Sequence, residues 1–418
     1  MHVKHISRVA IVVLAALALT ALAAAAQEPS PGKRLPLSGE KGESIALTAT
    51  VTESEPNDTL ATADPVAGPG AVSGKIGMPG DTDFFHFAID STATYQILID
   101  IDAQSAGSAL DAVICYYDQD RVVIACNDDS DRLDSLLYVW TDDPDDDFDQ
   151  EFYVEVREYN DPNEGGNAYT YTLSVYYAYF LSATTAGRAG GVAFAPGDIL
   201  ARSGDKWLMM LDMSDLGITA NTNSFDISPD GAYLAFPKNV TITGQNGSRY
   251  TATPWDVVHF NAAQWGPSTA GNFDNQLYFD GSTKGLSAAS EKIDAIAAAG
   301  PWMLEISTIG AAAVPAWNGG TLAGRDEDIL HVSLPAGTWD MEYDGSTIPG
   351  LANEDIVAAS AGSVNAVYWL DFVILGTGVI DGHAVNQKDK LEYLDGDGMS
   401  WPAIRYFNYN LDAIDGMH

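Results

Sequence analysis

Glu53-Ser-Glu-Pro-Asn-Asp58, answered a little later by Gly80-Asp-Thr-Asp-Phe-Phe-His-Phe87, decides how the first half of this chain reads. Glu53, Glu55, Asn57 and Asp58 crowd their oxygens around Pro56, whose ring fixes φ and stiffens the segment. Asp81 and Asp83 then open a run whose aromatic residues predict a strand. Hard oxygen ligands gathered in such number suit Ca²⁺, which takes six to eight of them in flexible geometry. Glu53, Glu55, Asn57, Asp58, Asp81 and Asp83 are therefore the candidate metal ligands. An acidic turn without a metal is the alternative.

Working outward, Val51 to Tyr176 reads as short strands between turns, with no useful helical period. Tyr95–Ile101, Ala112–Tyr117, Phe152–Val156 and Tyr169–Val175 are rich in β-branched and aromatic residues. This spacing predicts a β-sandwich over 51–178. The opening acidic run and Gly80-Asp-Thr-Asp83, with Leu110-Asp111, Asn127-Asp-Asp129, Asp134-Ser135 and Tyr171-Thr-Leu-Ser-Val175, resemble the bacterial pre-peptidase C-terminal domain. That resemblance implies a small exported β-sandwich, and in calcium-binding members acidic ligands in these same two segments. Asp142-Asp-Pro-Asp-Asp-Asp-Phe-Asp149 departs from the family as an insertion. It reads as a solvated acidic loop, because blocks of like charge repel.

Upstream, Lys4 and Arg8 precede the apolar run Val9–Leu22 and the small residues Ala24-Ala-Ala26. This is the pattern of a cleaved signal peptide over 1–26 and predicts a secreted protein, extracellular or periplasmic. An uncleaved anchor is the alternative, since Val9 to Ala26 carries no charge. Residues 27–50, with Pro29, Pro31 and Pro36, read as a flexible tether. The net charge of −38 disfavours nucleic acid and anionic lipid, which both require a basic footprint. Cys115 and Cys126, the only cysteines, flank a two-strand pattern around a polar turn. Folding that hairpin symmetrically sets them opposite one another at disulfide distance. Two free buried thiols are the alternative.

The second half, 188–418, repeats itself. Asp198-Ile-Leu, Asp256-Val-Val, Asp328-Ile-Leu and Asp389-Lys-Leu each open a short strand, at spacings of 58, 72 and 61 residues. Further landmarks follow each, among them Phe225-Asp-Ile, Ile293-Asp-Ala, Asp355-Ile-Val and Leu411-Asp-Ala. Four strands per repeat predict a small four-bladed β-propeller, so the whole chain reads as all-β. The repeats are similar to those of exported bacterial propeller proteins. The last repeat ends short of a fourth strand, and Gly191-Val-Ala-Phe194 stands spare before the first. Pairing the two would close the ring and leave no open edge.

Asp280 and Asp344 recur in Asp-Gly-Ser-Thr, which reads as a turn rather than a second calcium loop. His86, His259 and His331 read as strand residues. No HExxH, Gly-x-Ser-x-Gly, Walker or GxGxxG motif occurs, so no catalytic residue is assigned. The reading is a non-enzymatic protein binding an extracellular polymer or protein partner. A polysaccharide hydrolase or lyase with acidic residues at the propeller axis is the second reading.

Overall fold

A computed structural model describes residues 48–88, 96–130, 133–140, 151–159, 163–177, 179–203, 206–228, 231–298, 302–364, 367–380, 383–386, 389–396 and 403–408. The signal segment, nearly all of the tether, the acidic insertion 142–149 and Leu411-Asp-Ala lie outside the described residues.

The first half contributes β1 (Thr48–Thr52), β2 (Asp64–Ala67), β3 (Gly70–Lys75), β4 (Thr82–Ala88) and β5 (Gln96–Asp102). It continues with β6 (Ala112–Tyr117), β7 (Val123–Asn127), β8 (Leu136–Trp140), β9 (Glu151–Glu158) and β10 (Thr170–Tyr177). Two five-stranded sheets result, ordered β1-β3-β10-β5-β8 and β2-β4-β9-β6-β7. Alternation along each strand points one set of side chains inward. Val72, Ile97, Ile99 and Leu173 of one sheet meet Phe85, Phe87, Ile114 and Val154 of the other in a shared core. Cys115 lies directly opposite Cys126 across β6 and β7, and the two are joined by a disulfide.

The first sheet is apolar on its outer face too. Leu98, Leu136, Tyr138 and Tyr176 point away from the sandwich core and join Phe180, Ile199, Met210 and Phe225 in a second cluster. Tyr138 Oη donates to the Ile227 carbonyl at 3.2 Å, and Ser130 Oγ donates to that of Trp265. Lys206 Nζ reaches across to Asp100 at 2.5 Å and Asp102 at 3.1 Å. The two halves therefore share one packed junction.

The second half begins at Tyr179, one residue after β10. Its first sheet comprises β11 (Tyr179–Ser182), a hairpin of β12 (Gly187–Ala189) and β13 (Val192–Phe194), then β14 (Ile199–Ser203) and β15 (Lys206–Leu211). The second comprises β16 (Ser224–Ser228), β17 (Gly231–Ala235), a hairpin of β18 (Val240–Thr243) and β19 (Arg249–Ala252), then β20 (Asp256–Gln264), β21 (Ala270–Phe273) and β22 (Phe279–Asp280). The third comprises β23 (Ile293–Ala297), β24 (Met303–Thr308), a hairpin of β25 (Ala312–Pro315) and β26 (Thr321–Gly324), then β27 (Ile329–Ser333) and β28 (Thr338–Tyr343). The fourth comprises β29 (Ile356–Val364), β30 (Val367–Ile374), a hairpin of β31 (Thr377–Ile380) and β32 (His383–Asn386), then β33 (Asp389–Gly396) and β34 (Ala403–Asn408). The last three run first-second-third-fourth in space as in sequence, antiparallel throughout, with the hairpin inserted between second and third strands.

This layout overturns the pairing expected of Gly191-Val-Ala-Phe194. Val192–Phe194 is one arm of the inserted hairpin, paired with Gly187–Ala189. The fourth sheet already has all four strands, so the spare-strand count placed a hairpin where a sheet strand belongs. Among the described residues the sheet with three strands is the first one, not the last.

The repeated leading aspartate is explained by its hydrogen bonds. Asp256 is buried; its Oδ2 accepts from Thr253 N at 2.8 Å and its Oδ1 from Gly281 N at 3.1 Å. Asp328 does the same with Arg325 N (2.9 Å) and Gly345 N (3.0 Å), and Asp198 with Ala195 N (2.7 Å) and Met213 N (3.0 Å). Each carboxylate ties the turn entering the third strand to the turn leaving the fourth, satisfying backbone donors buried at both places. Asp280 and Asp344 cap short 3₁₀ turns by accepting from Thr283 N and Ser346 N. They are turn residues. A Cβ on Gly281 would strike the Trp255 carbonyl, which is why Asp-Gly stands there.

The four sheets pack on one another in chain order. Met210 and Ile199 of the first meet Phe225 and Ile227 of the second; Val257 and Phe279 of the second meet Ile296 and Ile306 of the third. Ile329 and Tyr343 of the third meet Ile356 and Phe372 of the fourth, and Ala358 and Val373 of the fourth meet Leu181 of the first. The described residues are all-β, and among them no sheet closes into a barrel.

Candidate metal centre

Pairing in the sandwich draws the two acidic runs together. Asn57 lies against β4, where its carbonyl accepts from Phe84 N at 3.0 Å, so the Glu53–Asp58 segment runs beside Asp81 and Asp83. One carboxylate oxygen each from Glu55, Asp81 and Asp83 lies within 4.8 Å of the other two. Asp83 and Asn57 are wholly inaccessible to solvent and Asp81 nearly so, while Glu55 is exposed. The centre is therefore dry on one side and open on the other.

Asn57 sits between Glu55 and Asp83, and its amide oxygen faces only carboxylate oxygens. Two arrangements relieve that opposition. Turning the amide makes Asn57 Nδ2 a donor to Glu55 Oε2 and Asp83 Oδ1, each at 3.2 Å. A cation among the oxygens would leave the amide where it is. Asp81 Oδ2 accepts from Gly77 N at 2.5 Å; burial pushes the Asp81 carboxyl above its ordinary value, the Gly77 hydrogen bond pulls it down, and the neighbouring Asp58 and Glu55 push it further up. Burial pushes Asp83 up to about 9, Tyr171 pulls it down, and Glu53 and Asp81 push it further up. Among the described residues no cationic side chain pairs with Asp81 or Asp83.

Of the six residues singled out in the sequence, Glu55, Asp81 and Asp83 bring carboxylate oxygens together, with Asn57 between Glu55 and Asp83. Glu53 occupies the flank, accepting through Oε2 from Lys75 N at 2.9 Å and Tyr171 Oη at 3.3 Å. Tyr171 was not assigned a site role from sequence. Its Oη donates to Asp83 Oδ2 at 2.5 Å from β10, where Tyr171 pairs with Gly74 of β3. A Cβ on Gly74 would collide with the Tyr171 ring and the Glu53 carboxylate, so glycine there leaves the room the phenol occupies. The Tyr171–Gly74 pairing is the signal that could have revealed it, but it requires knowing which strands are neighbours. His86 stacks on Tyr153 and lies 2.8 Å from Glu151, away from the carboxylate cluster.

His259 and His331 do take matching places in β20 and β27. His259 is buried against Tyr233 at 4.6 Å between ring centroids and 3.3 Å from Asp274, a packed strand residue.

No family model matches the chain, and no curated protein matches it. Among solved structures, the pre-peptidase C-terminal domain of a collagenase from Bacillus anthracis aligns at 16% identity and a TM-score of 0.21. That alignment covers 27% of this chain and 93% of the collagenase domain. The extracellular domain of a proposed one-component system from B. thetaiotaomicron aligns at 10% identity and a TM-score of 0.20, over 71% of this chain and 52% of that one. Both likenesses are weak.

Proposed function

We propose that this chain is an exported, calcium-stabilised binding protein. In this reading the sandwich holds the ion, and the four-sheet half is a small four-bladed β-propeller that presents a surface to an extracellular polymer or protein partner. The observation that carries the metal reading is the meeting of Glu55, Asp81 and Asp83 oxygens within 4.8 Å, two of these residues being buried. Three carboxylates and an amide oxygen form the all-oxygen donor set that Ca²⁺ favours, and an ion would offset their repulsion. Glu55, Asn57, Asp81 and Asp83 would hold it, with Asp58 and Glu53 at the margin. The Cys115–Cys126 bridge supports export, because disulfides persist in oxidising compartments.

Melting the full chain with millimolar calcium and with chelator tests the metal. At about 100 times the dissociation constant, calcium should add roughly 2.7 kcal/mol, seen as a higher melting temperature. Glu55→Ala combined with Asp81→Ala should remove that response and leave the far-ultraviolet spectrum unchanged. Identical melting curves with and without calcium would refute the site. The binding reading is tested on cell-wall and extracellular polysaccharides, following both retention and product release. Release of oligosaccharides would favour the hydrolase or lyase reading instead. The paired carboxyls of the second half, Asp294 and Asp355, do not support that reading, since Asp294 is only 4% exposed and beyond a polymer's reach.

A further inference from the structure

Among the described residues, a groove of about 460 Å³ opens on the outer face of the first sandwich sheet, lined by β1, β3, β10, β5 and the turn at Ala106. Elsewhere on this face Leu98, Leu136, Tyr138 and Tyr176 are covered by the second half. Asp102, tied to Lys206 at 3.1 Å, marks where that cover stops and the groove begins.

Register puts the polar groups of the groove in line. Thr52 pairs with Ser73, Ser73 with Thr172, and Thr172 with Asp102, across four neighbouring strands. Paired residues share a face, and theirs is the outer one, because Val72, Leu173 and Ile101 beside them point into the core. Thr170 and Lys75 form the next pair on that face. The hydroxyls of Thr52, Ser73, Thr170 and Thr172 have no hydrogen-bond partner among the described residues. Each can donate once and accept twice.

We propose that this groove binds a neutral polysaccharide lying across the strands, with one sugar unit to each polar side chain of the row. Charge favours a neutral occupant. Asp102 is already paired with Lys206, and Glu53 accepts from Lys75 N and Tyr171 Oη. Two carboxylates against the ammonium of Lys75 repel an acidic polymer, in a chain whose net charge is −38. Spacing then separates a glycan from a peptide. Adjacent strands lie roughly 4.8 Å apart, so the row spans about 14 Å and offers a hydrogen-bonding group at each step. One pyranose unit of an extended glycan advances by nearly that step. An extended peptide presents same-side groups about 6.7 Å apart and falls out of phase with the row. The site is separate from any surface the second half presents, and Thr52, Ser73, Thr170 and Thr172 are not among the candidate metal ligands.

Full-length chain titrated calorimetrically with hexamers of β-1,4-linked glucose, mannose and N-acetylglucosamine tests it, with the galacturonate hexamer as the acidic comparison. At least one neutral hexamer should bind, and the galacturonate should not. Thr52→Val with Thr172→Val removes two hydroxyls at nearly constant shape and should weaken binding about tenfold. Thr172→Trp should fill the groove and abolish binding. Both variants should keep the parent's melting temperature; should the tryptophan variant fail to fold, the valine pair still decides. Equal affinity in the parent and the valine variant would overturn the proposal and put polysaccharide binding on the second half, leaving the binding reading itself intact. Absence of binding by every neutral hexamer, or a preference for galacturonate, would overturn it too.

Discussion

Lys206→Met should destabilise the protein by about 3 kcal/mol, the scale on which a buried charge left without its partner is felt. Lys206 Nζ lies 2.5 Å from Asp100 and 3.1 Å from Asp102, and 5.2 Å above the Tyr176 ring. Burial acts to lower the lysine, but Asp100, Tyr176 and Asp102 outweigh it and hold it protonated beyond the ordinary lysine range. Burial lifts Asp100 to about 6 while Lys206 pulls it down, so the carboxylate is ionised at neutral pH. Without Lys206, Asp100 and Asp102 face each other at the junction of the two halves. Lys206→Met should then separate one melting transition into two, and Asp100→Asn in the same chain should recover much of the loss. A single transition at the original temperature would show that the junction is held by the apolar cluster of Leu98, Tyr138 and Phe225 alone.

Asp294→Asn should have the opposite sign, and its effect should grow with pH. Asp294 is buried on β23 beside Asp355 at the foot of β29; neither of its oxygens has a hydrogen-bond donor among the described residues, nor does Asp355 Oδ1. Two carboxyls within hydrogen-bonding reach can share one proton. Burial first, then Asp355, holds Asp294 well above the carboxylate range, and Asp326 adds to the repulsion. Burial raises Asp355 as well, while the neighbouring Asp294 lowers it and Asp326 raises it. Glu327, on the same loop as Asp326, is a further buried acid raised by burial. A group raised in the folded state stabilises fully below its unfolded value, near 3.8, and that contribution is lost as pH climbs toward the folded value. While pH lies between the unfolded and folded values, the loss runs at about 1.4 kcal/mol per pH unit. Asparagine donates to Asp355 without taking up a proton, so the variant should melt higher than the parent at pH 7 and alike near pH 4. Parallel melting temperatures across that range would refute proton sharing.

Much of the sandwich was legible because alternation is visible wherever one face of a strand is apolar. Phe152–Val156 falls within β9, Tyr169–Val175 begins one residue before β10, and hairpin symmetry set Cys115 against Cys126. The acidic ligands were legible because oxygen-bearing side chains are dense around Pro56. Period alone did not say which repeated segments were sheet strands and which were inserted hairpins. Val192–Phe194 and Tyr179–Ser182 are both short and apolar, and only pairing tells them apart. The Asp landmarks also misled: Ser224 of the second sheet pairs with Ala235 as Ala295 of the third pairs with Ser307, which makes Asn223, not Asp226, the counterpart of Asp294.

Amino-acid order by itself determined the all-β class, the gathering of acids in the first half and the leading aspartate of each repeat. These are local matters, set by side-chain alternation and by short-range hydrogen bonding. Tertiary structure alone decided that Tyr171 reaches Asp83, that Asp294 meets Asp355, and that β5 is buried on both faces. Gln96-Ile-Leu-Ile-Asp-Ile-Asp102 reads as one apolar face with a mixed one, and nothing in it names the surface that covers Leu98 or the lysine that meets Asp100. Those contacts join residues far apart in the chain, and their energies exist only once distant sheets have docked.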